Sequence, residues 1–347
     1  MKRQSGITVV EILVGLALSL IILAGVMHIL INNKQTYRVQ EAFARLQENG
    51  RFAMNFIIKD LRMAGFIGCA GKLTSAPINN ANYYPHPKTG PDTDPDEVGE
   101  FNASGIEGFE HSEVHSDLPI VLTETVSLTA ANAVLNSDIV RIKRASSTGI
   151  RVKEFATPGS AGEIKLALPE AQDQFQQYDT LFVSDCEAAH VFVATQVSET
   201  PNPAPGWVTL SIGASNMNPG LNHDYGSDAE VFKLINSIYY VGINSHGETA
   251  LYRQSLGNAN TMVSEELVEG VESMKLYYGE DKDDNGTPNV YVKSSEVGNW
   301  DDIVSVRIEL QVRSTEDNVT ARTDEDEGDR RLRRTFITSI ALRNQVI

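Results

Sequence analysis

The chain has 347 residues, 41% hydrophobic and 22% charged, and its 46 acidic and 29 basic residues give a net charge of −17. That length allows one large or two small folded units with a real core, while the acidic balance argues against a surface that grips nucleic-acid phosphate throughout. Two cysteines exclude a disulfide-dense scaffold and a multi-cysteine zinc module, and a mean hydropathy of −0.21 excludes a polytopic membrane protein.

Residues 1–6, MKRQSG, read as a short cationic leader. Residues 7–31, ITVVEILVGLALSLIILAGVMHILI, hold one carboxylate, Glu11, and one histidine, His28. As a helix this run spans roughly 37 Å, enough to cross a ~30 Å hydrocarbon core. It is longer than the apolar region of a secretory signal, and the NNKQTYR that follows offers no small-x-small cleavage site. Lys2 and Arg3 precede the run, and Lys34, Arg38, Arg45 and Arg51 follow it, so charge bias does not set its orientation.

Glu11 requires a physical reason. A carboxylate at mid-bilayer costs roughly 2.5 to 3.5 kcal/mol, less near a helix end. It can snorkel beside the positive helix terminus. Alternatively, it can pair with a cation inside an assembly of helices. If the chain is cut between Gly6 and Ile7, the new α-amine of one subunit can meet Glu11 of a neighbour, about 6 Å along the axis from Ile7. Such a pair offsets both burial costs and sets the axial register.

Lys2-Arg3-Gln4-Ser5-Gly6, then Ile7-Thr8-Val9-Val10-Glu11 and an apolar run, resemble the class III signal of type IV prepilins. The resemblance implies that a prepilin peptidase cuts after Gly6, that Ile7 becomes a methylated amino terminus, and that Glu11 is the assembly glutamate. Ile7 stands where most major pilins carry phenylalanine, which points to a minor subunit.

From Asn32 to Met63 there is no proline, and Val39, Phe43, Leu46, Ala53, Ile57 and Leu61 recur at helical spacing, with Phe52 and Phe56 widening the stripe. Joined to the membrane run, this predicts one helix over 7–63, roughly 85 Å long. Asn49-Gly50 is a point of expected loosening, and Gly65 an expected left-handed cap. The helix divides into a membrane half, 7–31, and an amphipathic half, 32–64.

Residues 65–347 read as a β-rich globular domain. Within it, 72–117 read as a long acidic surface loop: from Pro91 to Asp117 there are nine acids and no Lys or Arg. Strand-like runs follow at 118–123, 138–143, 150–155, 163–168, 180–184, 190–197, 207–212, 230–243, 248–255, 271–279, 302–313 and 334–343, alternation being clearest from Val304 to Val312. The expected plan is α+β, with antiparallel sheet packed on the second half of the long helix.

Several segments are similar to the PilW family of minor pilins. They are Asp60 to Cys69, Val183-Ser184-Asp185-Cys186, Val304 to Ile308, Val312-Arg313-Ser314, and Arg333 to Phe336 with Ala341 to Asn344. Leu267 to Glu272 with Tyr277-Tyr278-Gly279 is similar to a segment shared with J-type minor pseudopilins of type II secretion. The resemblance implies a type IV pilin-like fold anchored in the bacterial inner membrane with its carboxyl-terminal domain in the periplasm. It implies assembly with other minor and major pilins, the prepilin peptidase and an inner-membrane assembly platform. Adhesion and twitching motility would follow from that assembly. A J-type pseudopilin and a membrane-anchored periplasmic binding or enzymatic protein are the alternatives.

A domain outside the inner membrane meets oxidising conditions, so Cys69 and Cys186 either form a disulfide or remain two buried thiols. Asp281-Lys282-Asp283-Asp284-Asn285-Gly286 places oxygens at alternate positions before a glycine. That suits Ca²⁺ held by Asp281, Asp283 and Asn285, although Val292 stands where an EF-hand has its bidentate glutamate. The same residues suit an acidic β-hairpin turn. His111 with His115, and Cys186 with His190, lack the further ligands a metal needs. The Arg330–Arg334 cluster follows Asp324 to Glu327 and Asp329, favouring mutual neutralisation over nucleic-acid binding. No nucleophile elbow, phosphate loop or dinucleotide fingerprint is present, and nothing positive supports an enzyme.

Overall fold

The computed structural model describes residues 8–70, 78–79, 105–111, 133–155, 162–168, 170–200, 206–213, 221, 223–256, 262–317, 319 and 329–344. Helix α1 spans Val9–Leu61. Among the described residues it is the one helix long and apolar enough to cross a membrane, and its apolar stretch is exposed. Beyond that stretch α1 buries Ala42, Leu46, Ala53, Met54, Ile57, Asp60 and Leu61, at helical spacing. Phe43, Phe52 and Phe56, expected in the buried stripe, are instead 44%, 47% and 38% exposed. Small side chains face inward in their place. Asn49-Gly50 does not loosen the helix. Gly50 is buried, and a Cβ there would fall on the ring of Phe336, so glycine admits that ring.

Among the described residues sixteen strands follow: β1 (Ile78–Asn79), β2 (Ile106–Phe109), β3 (Ile139–Ala145), β4 (Ile150–Phe155), β5 (Gly162–Ala167), β6 (Thr180–Ser184), β7 (Ala189–Val193), β8 (Gln196–Thr200), β9 (Trp207–Ile212), β10 (Glu230–Ile243), β11 (Thr249–Leu256), β12 (Met262–Glu269), β13 (Val271–Glu280), β14 (Val290–Val292), β15 (Ile303–Arg313) and β16 (Arg333–Ala341). The chain divides into a smaller unit, Met1–Glu48 with Arg313–Arg334, and a larger one, Asn49–Val312 with Thr335–Ile347.

In the larger unit, β10 organises the main sheet. Its first residues, Glu230 to Lys233, pair with β6, and Leu234 to Tyr239 pair with β3. Its last seven residues pair with β11. Strand order runs β1-β7-β6-β10-β4-β5-β9-β8, with β2 on β3 and β12 on β11. All these pairings are antiparallel except β1 with β7. A second sheet, β14-β13-β15-β16, follows Gly270, whose φ of 89° turns the chain from β12 into β13. A core cluster lies among β4, β5, β6, β7 and β9, around Leu166, Leu181, Phe192 and Leu210.

The helix-plus-antiparallel-sheet plan matches the α+β expectation. Several local expectations differ. Strand β2 lies inside the supposed acidic loop, because Glu107 faces the cations Arg141 and Lys143 rather than water. Much of that loop, and the run 118–123, lie outside the described residues. The single run 190–197 divides into β7 and β8, since Ala194 bonds Asp179 and Thr195 donates to Ser211, switching partners between β6 and β9. Strands β12 and β14 escaped detection. Adjacent Glu265 and Glu266 blur the alternation of β12, a charged edge strand, and β14 is only three residues long.

In the smaller unit, described residues around the β15–β16 connection meet α1. Gln35 Nε2 donates to the Val319 carbonyl at 3.0 Å, Arg45 pairs with Glu316 at 3.0 Å, and the Arg334 guanidinium lies 5.9 Å from the Phe43 ring centroid. Asp329 collects Arg313, Arg331 and Arg333 at 3.4, 3.2 and 3.0 Å. Burial pushes its carboxyl up, but the Arg331 N–H and the Arg333 and Arg331 charges outweigh that and hold it below the usual range. Asp324 to Glu327 lie outside the described residues.

Candidate assembly site

Gly6 and Ile7 lie outside the described residues. Glu11 stands in the first turn of α1 and bonds backward to Thr8. Its Oε2 accepts from the Thr8 backbone N–H at 3.1 Å and from the Thr8 hydroxyl at 3.2 Å, while its own N–H donates to Thr8 Oγ1 at 3.3 Å. This is a reciprocal capping box: it gives the Thr8 N–H its acceptor and adds a side-chain acceptor to the Glu11 N–H, which also donates to the Thr8 carbonyl at 3.1 Å. Its signal in the sequence is Thr-x-x-Glu ahead of an apolar run.

The other end of α1 is tied to the main sheet by charge, backbone and sulfur. Asp60, 4% exposed, takes Arg144 at 3.0 Å on one oxygen and the Tyr239 hydroxyl at 2.7 Å on the other. Burial and the Asp60 charge push the Tyr239 hydroxyl well above its ordinary value, so it remains a donor. Gly65 has φ +71°, the left-handed geometry expected there, and its N–H donates to the Lys143 carbonyl at 3.0 Å. Cys69 lies in a short 3-10 turn, Gly68–Ala70, and is bonded to Cys186 in the turn between β6 and β7, with Cα atoms 5.0 Å apart. The link closes a separation of 117 residues. In the chain-entropy model that is about 5 kcal/mol.

Residues 238–344 match the family model PilW, type IV pilus-assembly protein W. This stretch of the chain is PilW-like. It runs from the middle of β10 through β16, just under a third of the sequence. The match supports involvement in type IV pilus assembly. No curated protein and no solved structure matches the chain. Asp281, Asp283 and Asn285 fall within the PilW match, whereas Glu11, Cys69 and Cys186 lie before it.

Within the PilW-like stretch, Asp281 folds onto its own turn. Its carboxylate accepts from the N–H groups of Asp283 at 3.3 Å, Asn285 at 3.2 Å and Gly286 at 2.6 Å. Burial raises its carboxyl pKa, but these bonds outweigh burial and hold it below the usual range. Asn285 Oδ1 in turn accepts from the Thr287 N–H at 2.8 Å. Among the described residues no three His, Cys, Asp or Glu side chains are grouped so as to hold a metal.

Before the PilW match lies a polar chain that the sequence did not reveal. Asp185, next to Cys186, accepts from the N–H groups of Glu187 and Ala188 and bonds His223 Nε2 at 2.6 Å. Tyr225 packs edge-on to His223, and its hydroxyl bonds His190 Nδ1 at 2.5 Å. The Asp185–His223 pair resembles two members of a hydrolytic triad. The Tyr225 hydroxyl, however, engages His190, and the sulfur of Cys186 is oxidised. His111 is buried, and His115 lies outside the described residues.

Proposed function

We propose that this chain is a PilW-like minor pilin, non-catalytic, which assembles with other minor pilins to prime a type IV pilus. The match of residues 238–344 to the PilW model carries this reading. A prepilin peptidase removes residues 1–6 and Ile7 becomes the methylated amino terminus. Helix α1 holds the subunit in the inner membrane, with the β-rich domain in the periplasm, until the assembly platform moves it into a filament, where it caps or primes the tip. Glu11 meets the free amine of an adjacent pilin, neutralising both charges in the hydrocarbon and fixing the helix register. Adhesion and twitching motility are consequences of that filament.

Amino-terminal sequencing of the mature protein from the producing bacterium tests the first step. A start at Ile7 is expected, and an intact Met1 overturns it. Substituting Glu11→Ala tests the pairing: the fraction of subunit in sheared filaments should fall, and undiminished incorporation removes that role.

A further inference from the structure

We propose that Thr8 is the positioning residue for Glu11, holding one carboxylate oxygen so that the other stays open to the amine of a neighbouring subunit. The inference rests on the pairing proposed above and adds the residue that aims it. Glu11 Oε2 receives both the Thr8 N–H and the Thr8 hydroxyl, whereas Oε1 has no donor among the described residues. The hydroxyl donates to Glu11 Oε2 and accepts from the Glu11 N–H, so its donor and acceptor capacity both serve the same carboxylate residue. The carboxylate is thereby turned toward the amino-terminal end of α1, the end at which a cut after Gly6 would create a cation.

Two consequences follow from the chemistry. A helix that starts in hydrocarbon leaves amides without partners, and the box satisfies one of them, the Thr8 N–H, from within the chain. A glutamate that already has two donors on one oxygen is also restrained in rotation. The incoming amine then finds Oε1 in a fixed place and need not break the cap to reach it. Without the hydroxyl, the carboxylate swings among rotamers and loses one charge-assisted bond. Serine keeps the hydroxyl, whereas valine keeps the shape and discards it.

The test measures each variant's share in sheared filaments against its own cleaved, membrane-bound pool, so that a slower cut after Gly6 does not enter the ratio. Thr8→Val should lower that share about three- to tenfold, as the loss of one net hydrogen bond would, with Thr8→Ser close to wild type. Thr8→Ala, smaller and equally lacking the hydroxyl, should fall with Thr8→Val. In a Glu11→Ala background Thr8→Val should cause no further loss, since nothing remains to be aimed. If Glu11→Ala lowers incorporation while Thr8→Val and Thr8→Ala do not, the positioning role is overturned and the pairing stands. A fall in Thr8→Ser as deep as in Thr8→Val also overturns it, because the hydroxyl is then not what matters. Wild-type incorporation of Glu11→Ala removes the pairing itself.

Discussion

His190 shows how a residue of unremarkable sequence context acquires a defined chemistry. It is 2% exposed on β7, and its Nδ1 bonds a tyrosine 35 residues away. Burial first, then the nearby His223, push its pKa down to about 4, while Asp185 pulls the other way. A histidine neutral in the fold and near 6.5 when unfolded stabilises the protein above pH 6.5. That contribution is lost as pH falls from 6.5 to 4. Denaturant titrations should therefore show stability falling by about 3 kcal/mol across that window, and His190→Gln should flatten the fall. Asp185 and Asp329 are held below the usual carboxylate range, so their losses come at lower pH and do not mask the histidine. Asp281 makes the contrasting case. Its motif was plain in the sequence, and in the fold its oxygens accept from the backbone amides of its own turn. Asp281→Ala should lower the melting temperature equally in calcium and in chelator. A melting shift of the wild type on adding calcium would return Asp281 to the cation reading. No residue spacing could have announced the His190–Tyr225 pair, because only the closure of 150–231 around its own core brings them together.

At the scale of elements, α1 was legible for most of its length, since 3.6-residue periodicity is local. Which face it buries was less so: aromatic Phe52 and Phe56 have greater hydrophobic pull than Gly50 and Ala53, yet close approach of the sheet favours the small residues. The same logic governs the exit from the helix. Gly105 has φ +61°, its carbonyl accepts from Lys143 N at 2.7 Å, and a Cβ there would fall on the backbone of Gly65. Two glycines thus touch where the helix exit meets the segment leading into β2. Gly247 also has positive φ, at +80°, but its Cβ would meet nothing within 4 Å. Changing each to alanine separates backbone strain from close approach. Gly247→Ala should lose roughly 1 kcal/mol, the conformational penalty alone. Gly105→Ala should lose more than about 2 kcal/mol, because Gly65 and the Lys143 bonds must move as well. Equal losses in chemical denaturation would show that close approach contributes nothing.

For the molecule as a whole, the PilW match begins in the middle of β10, so most of the residues that secure the helix exit precede it, with Tyr239 just inside it. The links there within the larger unit include the buried Asp60–Arg144 pair with Tyr239, the Gly65–Lys143 backbone bond, and the Cys69–Cys186 disulfide. They differ in kind. A buried ion pair fixes geometry while adding modest net stability, because desolvation offsets much of its attraction. A backbone bond contributes about 1 kcal/mol net. The disulfide acts mainly on the unfolded chain, where its long loop removes the most entropy, about 5 kcal/mol in the chain-entropy model. Removing it should therefore leave the native contacts in place while lowering stability more than loss of either other link. The double substitution Cys69→Ser with Cys186→Ser should fold, and its unfolding midpoint in denaturant should fall to that of reduced wild type. Amide exchange should then rise more over residues 57–66 than over β13 and β15, which the disulfide does not border. A midpoint for the double variant equal to that of oxidised wild type would show that charge and backbone alone hold the helix exit to the sheet.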